Sequence, residues 1–288
     1  MRTVEFPDLK LNYNIPETLA ECSTDEYLAV SYLVFMYLNG SISYEEFRVH
    51  AVTKLMNIKV SKKFKNDIDI HSNIYLLSEL MSSYFEDTED GSKKIVLDFL
   101  QIKIPKMKIG VRTYYAPEES LFLLSYGEFA DASRIFDDFH SFGDIHCLYL
   151  LAAILYRKRK PFSKQRYDYD SKKIDKTAKR FKKYAAPSFI YGTYLQFVAF
   201  KQYLPVAEIP WGGKLLNFEI LFEGGETTES TIPGIGAESM VFSLAESGVF
   251  GSTEKVRNTN FLEIMIHLYD LRKRDLENQK PENNADSK

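Results

Sequence analysis

Residues 145–156 read Ile-His-Cys-Leu-Tyr-Leu-Leu-Ala-Ala-Ile-Leu-Tyr. The run is nearly all apolar, and a helix that is apolar all round is covered on most sides. This segment is therefore expected to lie at the centre of the second half of a mainly α-helical chain.

The flanks support that reading. Upstream, Ser125-Tyr126-Gly127-Glu128 has the Ser-x-x-Glu spacing of a capping box, followed at helical spacing by Phe129, Ala132, Ile135, Phe136 and Phe139. Gly143-Asp144 marks the boundary before the central run. Downstream, after a lysine-rich stretch, Ala185-Ala186-Pro187 opens another apolar helix through Phe200, with Pro187 in the tolerated first turn. Residues 205–236 are punctured by glycine and proline and leave room for one short strand, Leu215 to Phe222. Ala237 to Glu246 resumes as helix and stops at Gly248. Asn260-x-x-Glu263 starts a last helix with the stripe Phe261, Ile264, Met265, Leu268 and Leu271. The tail 279–288 is expected to be disordered.

The N-terminal part repeats the pattern. Residues 1–22 form an irregular or extended lead-in interrupted by Pro7 and Pro16. A helix starts after Ser23, with Asp25 and Glu26 in its first turn, and ends at Asn39-Gly40. Ser43 and Glu46 form a second capping box before Phe47, Ala51, Leu55 and Ile58. Ile74, Leu77, Leu80, Met81 and Phe85 give a third helical stripe. Glu86 to Gly91 is an acidic break. Ile102 and Ile104, then Met107, Ile109 and Val111, alternate with Lys103, Lys108 and Arg112, which predicts a β-hairpin around Pro105-Lys106. The expected fold is mainly α, with helical bundle-like halves and a small β-hairpin insert. Its parts are an N-terminal helical region 1–90, a hairpin connector 91–117 and a C-terminal helical domain 118–278.

The chain has 288 residues, 45% hydrophobic and 27% charged, with a net charge of −3, a composition of globular type. No apolar run approaches the ~18 residues of a membrane helix; the longest candidate, Tyr27 to Leu38, is shorter. The first residues lack the pattern of a secretory signal. Two cysteines are too few for a disulfide scaffold, so a reducing cytosol is the expected compartment.

Catalytic and cofactor signatures are missing. Gly234-Ile235-Gly236 lacks the third glycine of a dinucleotide fingerprint, and no phosphate-loop pattern occurs. His140, His146 and Cys147 are the one metal-like group. Zinc needs three or four converging ligands, and adjacent side chains on a helix diverge by about 100°. Cys147 is read as core filler. Paired acids such as Asp137-Asp138 and Glu118-Glu119 lie in surface-type sequence, and Ser247-Gly248 lacks the frame of a serine nucleophile. The expectation is a non-enzyme without cofactor or metal.

The strongest physical signal is the basic stretch from Arg157 to Lys183. Thirteen cations, namely Arg157, Lys158, Arg159, Lys160, Lys164, Arg166, Lys172, Lys173, Lys176, Lys179, Arg180, Lys182 and Lys183, stand against three Asp. The local net of +10 leaves −13 on the rest of the chain, so a positive face sits on an acidic body. Three readings stay open: the solvated face of an amphipathic helix, a docking surface for an acidic protein, and a nucleic-acid contact aided by Tyr167, Tyr169, Phe181 and Tyr184.

Leu151 to Arg157, the basic tyrosine-bearing linker with Tyr167 and Asp168, and a short helix ending before Phe189 carry a resemblance. So do Leu124 to Phe129, Leu244 to Gly251 with Val256 and the Asn260 helix, and Ile15 to Leu19. Together, over about half the chain, they resemble proteins encoded beside the tape-measure protein of tailed phages of Bacteroidetes-type hosts, often treated as tail assembly chaperones. The chain departs from that group in its longer basic insert and its long Gly/Pro loop. The resemblance implies a phage morphogenesis protein of the host cytoplasm that covers the apolar face of a helical partner, such as a tape-measure-like protein. A permanent tail or connector component of the virion, and a nucleic-acid-binding accessory protein using 157–183, are the alternatives.

Overall fold

The computed structural model describes residues 1–6, 11–59, 67–222 and 236–278. Most of the lysine-rich connector before the third helix, much of the Gly/Pro loop and the tail 279–288 fall outside the described residues. Among those described, ten α-helices are joined by four two-stranded antiparallel sheets, so the fold is mainly α with small hairpins.

The central run forms α5 (His146–Leu155), with Cys147, Leu148 and Leu151 to Leu155 buried. It packs against α4 (Tyr126–Phe142), α6 (Ile174–Tyr184) and α7 (Pro187–Tyr203). Gly143 ends α4 in the left-handed conformation, φ 68°, where a residue without a β-carbon fits best. α1 (Thr24–Leu38) and α2 (Tyr44–Leu55) carry the capping boxes of Ser23 with Glu26 and Ser43 with Glu46.

α1 lies against α7. The Tyr27 hydroxyl donates to the Gly192 carbonyl at 2.7 Å, and the Ser31 hydroxyl to that of Ser188 at 2.9 Å. A β-carbon on Gly192 would sit 3.0 Å from both Tyr27 and Ile104. Gly192→Ala is expected to cost about 1–3 kcal/mol by overpacking, outweighing the roughly 1 kcal/mol that alanine gains in helix propensity. Thermal unfolding checks this: an unchanged or raised Tm would mean the α1–α7 approach is not tight.

Aromatic rings fill the rest of the interior. Phe261 at the start of α10 (Phe261–Asn278) is fully buried, its ring 4.2 Å from Phe129 and 5.8 Å from Phe200. Burying such a side chain contributes about 1.5–3 kcal/mol. Of the predicted C-terminal stripe, Phe261, Ile264 and Met265 are buried, while Leu271 is 40% exposed.

Several elements differ from the sequence reading. The hairpin lies further along the chain: β5 (Lys106–Ile109) pairs with β6 (Arg112–Tyr115). Pro105 precedes it, and the turn is Gly110-Val111, with Gly110 at φ 61° and Val111 88% exposed. A two-residue hairpin turn needs a positive φ at its first central residue, which proline cannot supply and glycine can. Two more hairpins appear in the N-terminal part. β1 (Arg2–Phe6) pairs with β2 (Leu11–Ile15) in the extended lead-in, and β3 (Phe85–Asp87) with β4 (Lys93–Ile95) around the acidic break. α3 (Ile68–Ser78) therefore stops before Phe85, passing through a 3₁₀ turn at Glu79–Tyr84. The strand placed at Leu215 to Phe222 is shorter: β7 (Glu208–Trp211) pairs with β8 (Lys214–Asn217), and Phe218–Leu221 is a 3₁₀ turn that buries Phe218. α8 (Ala237–Glu246) is followed by a short helix absent from the sequence reading, α9 (Thr253–Asn258), capped by the Ser252 side chain.

Candidate partner-binding face

The basic stretch consists of two physically different parts. The first is an extended strap from Tyr156 to Asp170 and the second is α6. Tyr156 leaves α5 with its hydroxyl bonded to the Ile104 carbonyl at 2.7 Å. Arg157 then exchanges both backbone hydrogen bonds with Tyr115, adding the strap to the edge of β6. The strap folds back on itself: Arg159 bridges Arg166, the Lys160 N–H bonds to Gln165 and the Tyr167 N–H to Lys158.

Two acidic side chains of α4, the buried Glu128 and the half-buried Asp131, hold this strap down. Glu128 in the first turn of α4 is 3% exposed. Its Oε2 accepts from the Ser125 N–H at 2.9 Å and hydroxyl at 3.0 Å, completing the predicted capping box. Its Oε1 lies 2.7 Å from Arg157 Nη2 and 3.7 Å from Arg166 Nη2. Arg166 Nη1 also donates to the Leu155 carbonyl at 2.8 Å, closing the end of α5. Burial, and next the like charge of Arg157, push the Arg166 guanidinium down to about 10, against the opposing pull of Glu128.

Further along, the Tyr169 hydroxyl donates to Asp131 Oδ2 at 2.5 Å. Arg257 of α9 binds the same oxygen at 2.6 Å and reaches Glu238 of α8 at 2.5 Å. Burial chiefly, then the bond to Asp131, raises the Tyr169 phenol far above its ordinary value. Gly127 permits the close approach of α9, since a β-carbon there would sit 3.0 Å from the Arg257 backbone oxygen.

The thirteen sequence-selected cations thus part into groups. Arg157 and Arg166 face inward and secure the strap; their side chains are only 15% and 12% exposed. Arg159 lies 4.0 Å over the Tyr115 ring, and half-buried Arg180 packs beside Tyr184. Lys160 pairs with Asp168 and Lys173 with Asp170. Lys158 sits over Tyr167 and Lys183 over Tyr184. Lys164, Lys172, Lys176, Lys179 and Lys182 are exposed, with no ion pair among the described residues.

α6 explains the lysine spacing. Ala178 and Phe181 turn inward to α5 and the hairpin, the Phe181 ring meeting Tyr114 edge-on at 4.8 Å. Lys176, Lys179 and Lys183 fall at i, i+3 and i+7 on the outer side, a stripe of about 10 Å at helical rise, and Lys172 precedes them in the 3₁₀ turn Ser171–Lys173. Two clefts of about 600 Å³ flank the strap. One opens toward α6 between Tyr114, Tyr167 and Lys173; the other opens toward α4 and α9 beside Glu128 and Asn260.

The metal-like group of the sequence is not assembled. Among the described residues no three His, Cys, Asp or Glu side chains are placed to hold an ion. His140 lies tilted against Phe136, ring centroids 4.4 Å apart, and contacts the Tyr194 hydroxyl at 3.4 Å. Cys147 is buried in the core, where burial raises its thiol pKa. No helix among the described residues is long and apolar enough to cross a membrane. No family model, no curated protein and no solved structure matches the chain.

Proposed function

We propose that the chain is a non-enzymatic binding protein of tailed-phage morphogenesis that docks an acidic, helical protein partner during tail assembly. One observation carries this reading: a cationic face held from beneath, with only Lys160 and Lys173 of its lysines ion-paired among the described residues. The strap is fixed by Glu128 and Asp131, α6 is fixed by Phe181, and five of the exposed lysines in this stretch form no ion pair among the described residues. A surface lysine that merely solvates a fold needs no such support. Complementary charge steers association and fixes register more than it adds affinity, which suits a partner that must later be released. The resemblance to tail assembly chaperones supplies the setting.

Reversing Lys172, Lys176, Lys179 and Lys183 to glutamate tests the reading. The quadruple variant should keep its helicity and lose roughly 10- to 100-fold in affinity for its tail-assembly partner. The wild-type interaction should weaken as salt rises past the Debye regime of ~0.1 M. Mass spectrometry of finished particles separates a chaperone, absent from them, from a built-in tail subunit. Tight, steeply salt-dependent binding of DNA with no protein present would sink the protein-partner reading.

A further inference from the structure

The tip of the strap carries a side chain that its own fold does not use. Lys160-Pro161-Phe162-Ser163 is a β-turn, closed by the Ser163 N–H on the Lys160 carbonyl at 3.2 Å. Proline stands second, and the third residue, Phe162, has φ 55°. That is the pattern of a type II turn, whose third position favours glycine or asparagine because a β-carbon is crowded there. Among the described residues the other two positive-φ residues that are not glycine, Asn57 and Glu119, are polar. Phe162 is instead fully exposed, at 110% of its reference area, and no ring contact reaches it among the described residues. The backbone is disfavoured, and the ring gains nothing from burial in this chain. Strain of this kind points outward to a function.

We propose that Phe162 is an anchor that inserts into an apolar pocket with an acidic rim on the protein partner. The claim rests on the protein-binding reading above and names its contact point. The charge around the tip argues for the rim: Lys158, Arg159 and Lys164 are exposed, whereas Lys160 is partly neutralised by Asp168. A single ring projecting from a rigid turn matches the form of an interface hot spot, a side chain filling a desolvated pocket. A stacking platform for nucleic acid uses successive rings along a charged groove.

Two measurements on the full-length chain test this. Phe162→Gly should leave Tm unchanged or raise it by up to about 2 °C, because glycine suits the turn. It should also weaken partner binding roughly tenfold or more. A fall in Tm would show that the ring serves this fold and would overturn the proposal. In the second measurement, a photoreactive benzoylphenylalanine replaces Phe162 in cells assembling particles, with a parallel variant at Lys179. Adducts at one apolar site flanked by Asp or Glu on a single protein, lost when Lys158 and Lys164 are reversed, support the anchor. Adducts to nucleic acid or lipid, adducts scattered over many proteins, or none at all overturn it. Adducts to a tail component from position 179 but not 162 would remove the anchor and keep the function. A single-site adduct to a protein unrelated to the tail would do the reverse.

Discussion

Replacing Glu128 by alanine is expected to destabilise the protein by about 3–5 kcal/mol, the cost of leaving buried charges without their partner. Both arginines concerned are largely covered, and the variant also loses the carboxylate half of its capping box, a hydrogen bond of about 1 kcal/mol, while the backbone N–H at position 128 still donates to Ser125. The two losses share one side chain and will not simply add. Glu128→Gln should fall between, since an amide oxygen can still accept from Ser125 while the charge is gone. A triple replacement, Glu128→Leu with Arg157→Met and Arg166→Leu, should recover much of the loss, as buried ion pairs exchanged for apolar groups often do. Urea unfolding provides the free energies. Hydrogen exchange at the Arg157 and Tyr167 amides, which pair with Tyr115 and Lys158, reports on the strap itself. If Glu128→Ala lost less than about 1 kcal/mol, the range of exposed pairs, the arginines would have swung into water. The strap would then not be anchored as described.

That double use of Glu128 marks where the sequence stops being readable. Its capping role is local: serine and glutamate three residues apart announce it, as at Ser23 with Glu26 and Ser43 with Glu46, and all three boxes form. Its second role depends on arginines that arrive through a change of chain direction after α5. No spacing rule records that. The same division separates the thirteen cations. Charge counting finds the basic segment, but only the packing of Tyr156, Phe181 and the β6 edge decides that Arg157 and Arg166 turn inward. The hairpins show the limit from the other side. Strands of three to five residues are too short for alternation to speak clearly, so the position of a turn glycine outweighs the pattern. Gly110, rather than the run of alternating isoleucines before it, sets the register of β5 with β6.

Raising the pH past 10 should unfold the chain cooperatively. Tyr27, Tyr84, Tyr126, Tyr156 and Tyr169 are each raised above the ordinary phenol value of 10.0, burial being the first cause in every case, with Tyr126 pushed up to about 12. The folded chain therefore keeps protons that the unfolded chain gives up above pH 10, so stability falls as pH rises through that point. Each such group costs up to about 1.4 kcal/mol per pH unit, and five together remove on the order of 5 kcal/mol between pH 10 and 11. Cys22, buried and raised from 9.0 to about 11, begins its loss earlier, above pH 9.0. Lys103 acts in the opposite sense. Burial without a carboxylate partner, its ammonium held by the Ala20 and Cys22 carbonyls, lowers its pKa, so the fold gains stability as pH climbs toward 10.5. One such group offsets only part of six. The net loss is comparable with the ~5–15 kcal/mol that holds an ordinary domain together. Far-ultraviolet circular dichroism and tyrosinate absorbance, followed through one alkaline titration, should change together over a narrow interval. Tyrosinate appearing gradually for all 19 tyrosines while helicity persists would show that these phenols reach water in the native state. Tyr27→Phe adds a second check. It should make the alkaline transition less steep while lowering stability near neutrality, where the Gly192 carbonyl has lost its donor.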